Sequence, residues 1–75
     1  ASMTLSDANI GEHVRLVSIQ GGTHLRRRLA DLGLNMGMTV EIINHIENGP
    51  MILSVKDSRL AIGRGMAEKI IVERV

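Results

Sequence analysis

Seventy-five residues place the chain near the lower size at which one core holds without staples, and with no cysteine neither a disulfide nor a thiolate metal site can help. A 44% hydrophobic share with 23% charged residues excludes a disordered chain, and no apolar run reaches a membrane span of roughly 18 residues. Nine basic against eight acidic side chains leave a net charge of +1, too little for a general grip on nucleic-acid phosphates, and the absence of Phe, Tyr and Trp removes the stacking platforms single strands use.

Ala1-Ser2 ahead of Met3 reads as a cloning remnant, and no signal-peptide pattern follows. Together with the missing cysteines this predicts a cytoplasmic protein, one domain over residues 3–75. Thr4-Leu5-Ser6-Asp7 predicts a single helical turn capped by Thr4. A turn at Asn9-Ile10-Gly11 leads into "HVRLVSI", His13 to Ile19, a strand of β-branched and polar residues ended by Gln20-Gly21-Gly22.

Thr23 is then expected to cap a helix running to about Leu32, stopped by Gly33 in a left-handed conformation. Leu25, Leu29 and Leu32 fall at i, i+4 and i+7 and share one stripe. Arg26 and Arg28 flank that stripe on opposite sides and Arg27 points away, so the three arginines fan out instead of forming one patch. Asp31 lies at i+4 from Arg27 and i+3 from Arg28, placed to offset part of the charge.

Asn35-Met36-Gly37 is a turn. From Thr39 to Glu47, "TVEIINHIE" alternates as a strand with Val40, Ile42, Asn44 and Ile46 on one side. Asn48-Gly49-Pro50 turns the chain into a short strand, Met51 to Val55. A polar reversal at Lys56 to Arg59 leads to a strand fragment at Leu60-Ala61-Ile62. A helical turn around Met66-Ala67-Glu68 precedes a final strand, Ile70 to Val75. Five short strands with one helix inserted after the first are too few for two stacked sheets. They predict a mainly β fold, a small, partly open barrel of the SH3-like type, with the helix over one end or side.

The stretches "LRRRLADLGLNMGMTVEI" and "NGPMILSVKDSRLAIGRGMAEKIIV" resemble the ferrous iron transport protein A (FeoA) family, and the resemblance runs from about Leu5 to Val75. It is carried by an ordered set: the arginine helix with its leucines, a Gly-Leu turn, a Gly ahead of a Val-rich strand, a Gly-Pro hairpin, the "LAI" strand and the terminal Ile-Val strand. The resemblance implies a cytoplasmic SH3-like barrel that assists FeoB, a membrane ferrous iron transporter carrying a cytosolic GTP-binding domain. It also implies an interaction module, because the same domain type is fused to metal-dependent transcriptional regulators.

The residues themselves offer no catalytic chemistry. His13, His24 and His45 have no spacing of a zinc helix or finger and read as surface or edge residues, so no metal site is assigned. Gly63-Arg64-Gly65 lacks the Lys-Ser or Lys-Thr of a phosphate loop and reads as a turn, so no nucleotide or other cofactor is assigned either. The serines form no nucleophile elbow, and the chain does not read as an enzyme. Without aromatic residues it cannot grip Pro-rich peptides as many SH3 domains do. A partner must meet aliphatic, Met or charged surface.

The candidate contact residues are therefore Arg26, Arg27 and Arg28 on the helix, with Leu34, Met36 and Met38 around the turn that follows. The reading is an accessory protein of ferrous iron uptake that binds the cytosolic region of FeoB and modulates its GTPase or transport cycle, without nucleic acid and without membrane insertion. The alternative is a stand-alone module of a metal-responsive regulator, or a barrel that self-associates weakly through exposed sheet edges.

Overall fold

The computed structural model describes residues 3–75; Ala1 and Ser2, read as a cloning remnant, lie outside the described residues. Strand β1 (Met3–Thr4) leads directly into a 3-10 turn (Leu5–Asp7). The Asp7 carboxylate accepts from the Thr4 N–H at 3.4 Å and from its hydroxyl at 3.0 Å, closing that turn. The turn drives Leu5 fully into the core. Strand β2 (His13–Ile19) covers the range the alternation predicts, with Val14 and Leu16 buried between exposed His13 and Arg15.

Helix α1 (Thr23–Asp31) starts one residue differently from the expectation. Gly22, extended at φ −83°, is the N-cap, and Thr23 is already helical. The predicted leucine stripe is also corrected. Leu29 is fully buried and Leu25 packs against the core, but Leu32 is 38% exposed. Leu32 sits at the C-cap, where the chain is already turning away, and Leu34 takes the core position instead.

Strand β3 (Thr39–His45) is shorter than predicted. A bulge between Ile42 and Asn44 in its pairing with β4 (Met51–Val55) breaks the period of two. Val40 and Ile42 are buried as expected, whereas Asn44 is exposed and Ile46 lies in the following turn, exposed. The hairpin after β4 uses only Lys56-Asp57, so β5 (Ser58–Ile62) begins two residues before the predicted fragment. Lys56 occupies the left-handed region at φ 56° to make so tight a reversal. Helix α2 (Arg64–Ala67) and β6 (Ile70–Arg74) complete the chain.

All pairings are antiparallel, in the order β1-β6-β2-β3-β4-β5. There are six strands where five were predicted. The two residues of β1 are too few to show any periodicity, and only their pairing with Val72 and Ile71 makes them a strand. Bulges in β2, between Leu16 and Ser18, and in β3 bend the sheet so that its six strands curl into a small, partly open SH3-like barrel. Among the described residues β1 and β5 are its unpaired edges. One aliphatic cluster fills it, and Leu29 and Leu34 close it from the helix side.

The helix register has a measurable consequence. Leu29→Ala should cost about 3 kcal/mol of stability by leaving a cavity in the core, whereas Leu32→Ala should stay within about 0.5 kcal/mol. Urea unfolding of both variants separates this packing from a straight Leu25-Leu29-Leu32 stripe, which demands a loss of similar size at both positions.

Candidate protein-interaction site

The end of α1 fixes the site. Gly33 adopts φ +87°, its N–H donates to the Ala30 carbonyl at 2.9 Å, and the Leu34 N–H donates to the Leu29 carbonyl at 2.8 Å. This pair of bonds is the Schellman cap, which normally brings the residue after the glycine against the helix turn it closes. Leu34 is accordingly pulled to 2% exposure beneath the helix. The next residues turn outward. Gly37, at φ +89°, donates its N–H to the Leu16 carbonyl at 2.7 Å and so ties the turn to β2.

Between this turn, α1 and the end of β2 lies a groove of about 320 Å³. Its lining includes Arg26 and Ala30 from α1, Val17 to Ile19 from β2, and Leu34 to Met36. Val17 and Met36 are 43% and 40% exposed, so apolar surface reaches solvent at both lips while Leu34 forms the floor.

The predicted contact residues thus divide. Arg26, Leu34 and Met36 meet in the groove, Leu34 as a buried floor and not as a surface residue. Arg27 lines a separate shallow cleft with Thr23 and His24. Arg28 is exposed and lines neither of these two clefts. Met38 is half-buried against the core, its sulfur accepting the Asn35 N–H at 3.1 Å. The groove also uses Val17, Ile19 and Ala30, which the sequence reading passed over. A signal for the first two was present. Apolar residues fall at 14, 16 and then 17 and 19, and a change of parity inside a strand marks a bulge.

Charge is unevenly settled over the surface. A cross-strand ion pair joins Arg15 to Glu73, His13 lies 3.7 Å from the Glu41 carboxylate, and Arg74 is bonded to Glu12. Among the described residues the arginines of α1 have no such partner. The expected offset by Asp31 does not form, because Asp31 is the last helical residue and an exposed pair there gains little against solvent and side-chain entropy. The three histidines sit on separate elements, β2, α1 and the end of β3. No three His, Asp or Glu side chains among the described residues gather as a metal-binding group.

Comparison with known proteins places these features. The FeoA domain family model matches residues 3–74. The chain belongs to the FeoA family. It is 44% identical over 69 residues to the putative Fe(2+) transport protein A of Methanocaldococcus jannaschii, covering 92% of this chain and 83% of that protein. The crystal structure of an iron uptake regulatory protein, FeoA, superposes with a TM-score of 0.92 at 33% identity over the full length of both chains. A manganese-dependent transcriptional repressor contains the same fold, TM-score 0.90 over 99% of this chain and 42% of its own, at 16% identity. FeoA proteins take part in ferrous iron transport as accessory components, and no helix among the described residues is long and apolar enough to cross a membrane.

Outside the groove, Glu12 responds to acid. Its carboxylate accepts the Asn9 N–H at 2.6 Å and is bonded to Arg74, and these bonds, the backbone one first, lower its pKa below the ordinary 4.5. A carboxyl group lowered in the folded state stabilises fully above its ordinary value, and that share is lost as pH falls through the lower, folded value. Thermal unfolding below about pH 4.5 should therefore fall less steeply for Glu12→Gln than for the unchanged chain. Parallel acid limbs would show that Glu12 contributes nothing there.

Proposed function

We propose that this FeoA chain is a cytoplasmic accessory factor, acting as one unit over residues 3–75, that binds the cytosolic region of the ferrous iron transporter FeoB and modulates its GTPase or transport cycle. The observation that carries this reading is the α1 face itself. In a chain of an iron-transport family, Arg26 of this helix lines an apolar groove, and Arg26, Arg27 and Arg28 have no ion-pair partner among the described residues.

The chemistry suits an interaction surface. Arg26, Arg27 and Arg28 project from one short helix that the buried Leu29 and Leu34 hold to the barrel. Met36 adds a flexible, polarisable side chain able to adapt to a partner. Rim arginines raise association rate and set salt dependence, while the apolar contact sets dwell time. Aromatic capture of a Pro-rich segment is unavailable, because the chain has no aromatic residue.

Titration of the labelled chain with the cytosolic region of FeoB from the same organism tests this. Shifts should gather on Arg26 to Arg28 and Leu34 to Met36, and affinity should fall as salt rises. Arg26→Glu, Arg27→Glu and Arg28→Glu together should weaken binding about tenfold or more at low salt. A folded, active transporter region that produces no shifts at any salt ends this reading. It leaves the module of a metal-responsive regulator, whose support is the fold match to the manganese-dependent repressor.

A further inference from the structure

The groove contains a stretch of sheet edge without a ladder. On the side facing α1, β2 pairs with β3 only as far as Arg15 and Thr39. The bonds between Leu16 and the Gly37-Met38 turn, at 2.7 and 2.9 Å, are the last on that side. Beyond the bulge, Gln20 donates to the Lys69 carbonyl at 2.6 Å on the opposite side. Backbone groups of successive strand residues point to opposite edges, so the N–H and C=O of Ile19 face away from β6, toward the groove. Among the described residues neither has a backbone partner there. An open edge beside exposed apolar side chains is a template for an added strand.

Charge decides what kind of strand. Arg26 is the one charged residue lining the groove, no Asp or Glu lines it, and Arg27 and Arg28 follow on the same helix without ion-pair partners among the described residues. A Lys- or Arg-bearing segment meets repulsion at this site and an acidic one meets attraction. A second copy of this chain is a poor occupant. Its edge strands offer no acidic, apolar segment, since β1 has only two residues and β5 carries Arg59 and no acid.

We infer that this groove binds a short, extended, acidic and apolar segment of a partner protein. The segment's main chain pairs with the free edge at Ile19, one apolar side chain enters between Val17 and Met36 above Leu34, and a carboxylate meets Arg26. As the contact through which FeoB is held, this rests on the function proposed above; as a property of the groove, it stands on the geometry alone.

The probe is a capped peptide of alternating Glu and Leu, with the same peptide carrying Lys for Glu as its control, titrated into the labelled full chain. The acidic peptide should shift the amides of Val17 to Ile19, Arg26, Ala30 and Met36, and the Lys peptide should not. Arg26→Glu, an exposed position that leaves the core intact, should lower the affinity for the acidic peptide about tenfold. Met36→Gln should weaken binding of the same peptide while preserving its salt dependence. Equal binding of both peptides, shifts centred on β5, or no shifts at millimolar peptide overturn the assignment. The two proposals fail separately. Transporter binding without groove binding of the acidic peptide sinks this inference alone, while groove binding of the acidic peptide without transporter binding sinks the FeoB reading alone.

Discussion

The Schellman cap at Gly33 is the constraint on which the candidate site depends. A left-handed residue at this position lets two helix carbonyls, those of Leu29 and Ala30, be satisfied while the chain reverses. The reversal exchanges one leucine for another. Leu32, in step with Leu25 and Leu29 along the sequence, is left at the cap in solvent, and Leu34 is drawn into the barrel. Because Leu34 is buried, Asn35 and Met36 must emerge above it, and that emergence makes one wall of the groove. A helix continuing past Leu32 would cover the same space with its own next turn.

The second wall comes from a discontinuity in β2. One extra residue between Leu16 and Ser18 shifts the pairing with β6, so that Leu16 and Ile19 both approach the core although they differ in parity. Val17 is the residue displaced to the surface. The ladder with β3 ends just before this bulge, at Arg15 and Thr39, and the Gly37-Met38 turn makes the last bonds to Leu16 before it leaves the sheet. The displaced valine thus comes from the bulge in β2, the emerging methionine from the cap at Gly33, and the free strand edge from a β3 that starts only at Thr39.

Much of the fold was legible because the elements obey short-range rules. The bounds of β2 and β4 follow from composition and turn residues, and Gly33 as the helix stop follows from backbone freedom alone. The expectations that fail are those needing information from elsewhere in the chain. β1 exists only through its pairing with β6, and the shortened β3 reflects a bulge enforced by β4. The split between Leu32 and Leu34 depends on where the chain goes after the cap, which a helical wheel does not contain. For the site, the sequence brought Arg26 and Met36 into view as polar and flexible residues near a turn. It could not pair them with Val17 and Ile19, because that adjacency arises from the barrel's curvature.

The lack of aromatic residues narrows how such a barrel can recognise anything. Phe, Tyr and Trp normally supply binding energy from few contacts, each burying 150–250 Å². An aliphatic groove of about 320 Å³ must instead gain affinity from backbone pairing, from a side chain fitted over Leu34 and from steering by charge. Each of these contributions is modest, and together they favour an association that forms and dissolves readily. That behaviour suits the role proposed above, since a partner gripped too tightly would hold a transporter in one state. The arginines on α1 suit this balance because among the described residues they have no ion-pair partner, whereas Arg15 and Arg74 are bonded to Glu73 and Glu12. Arg15 has Glu73 directly across the sheet, whereas among the described residues the arginines of the short helix have no acidic side chain within ion-pair reach.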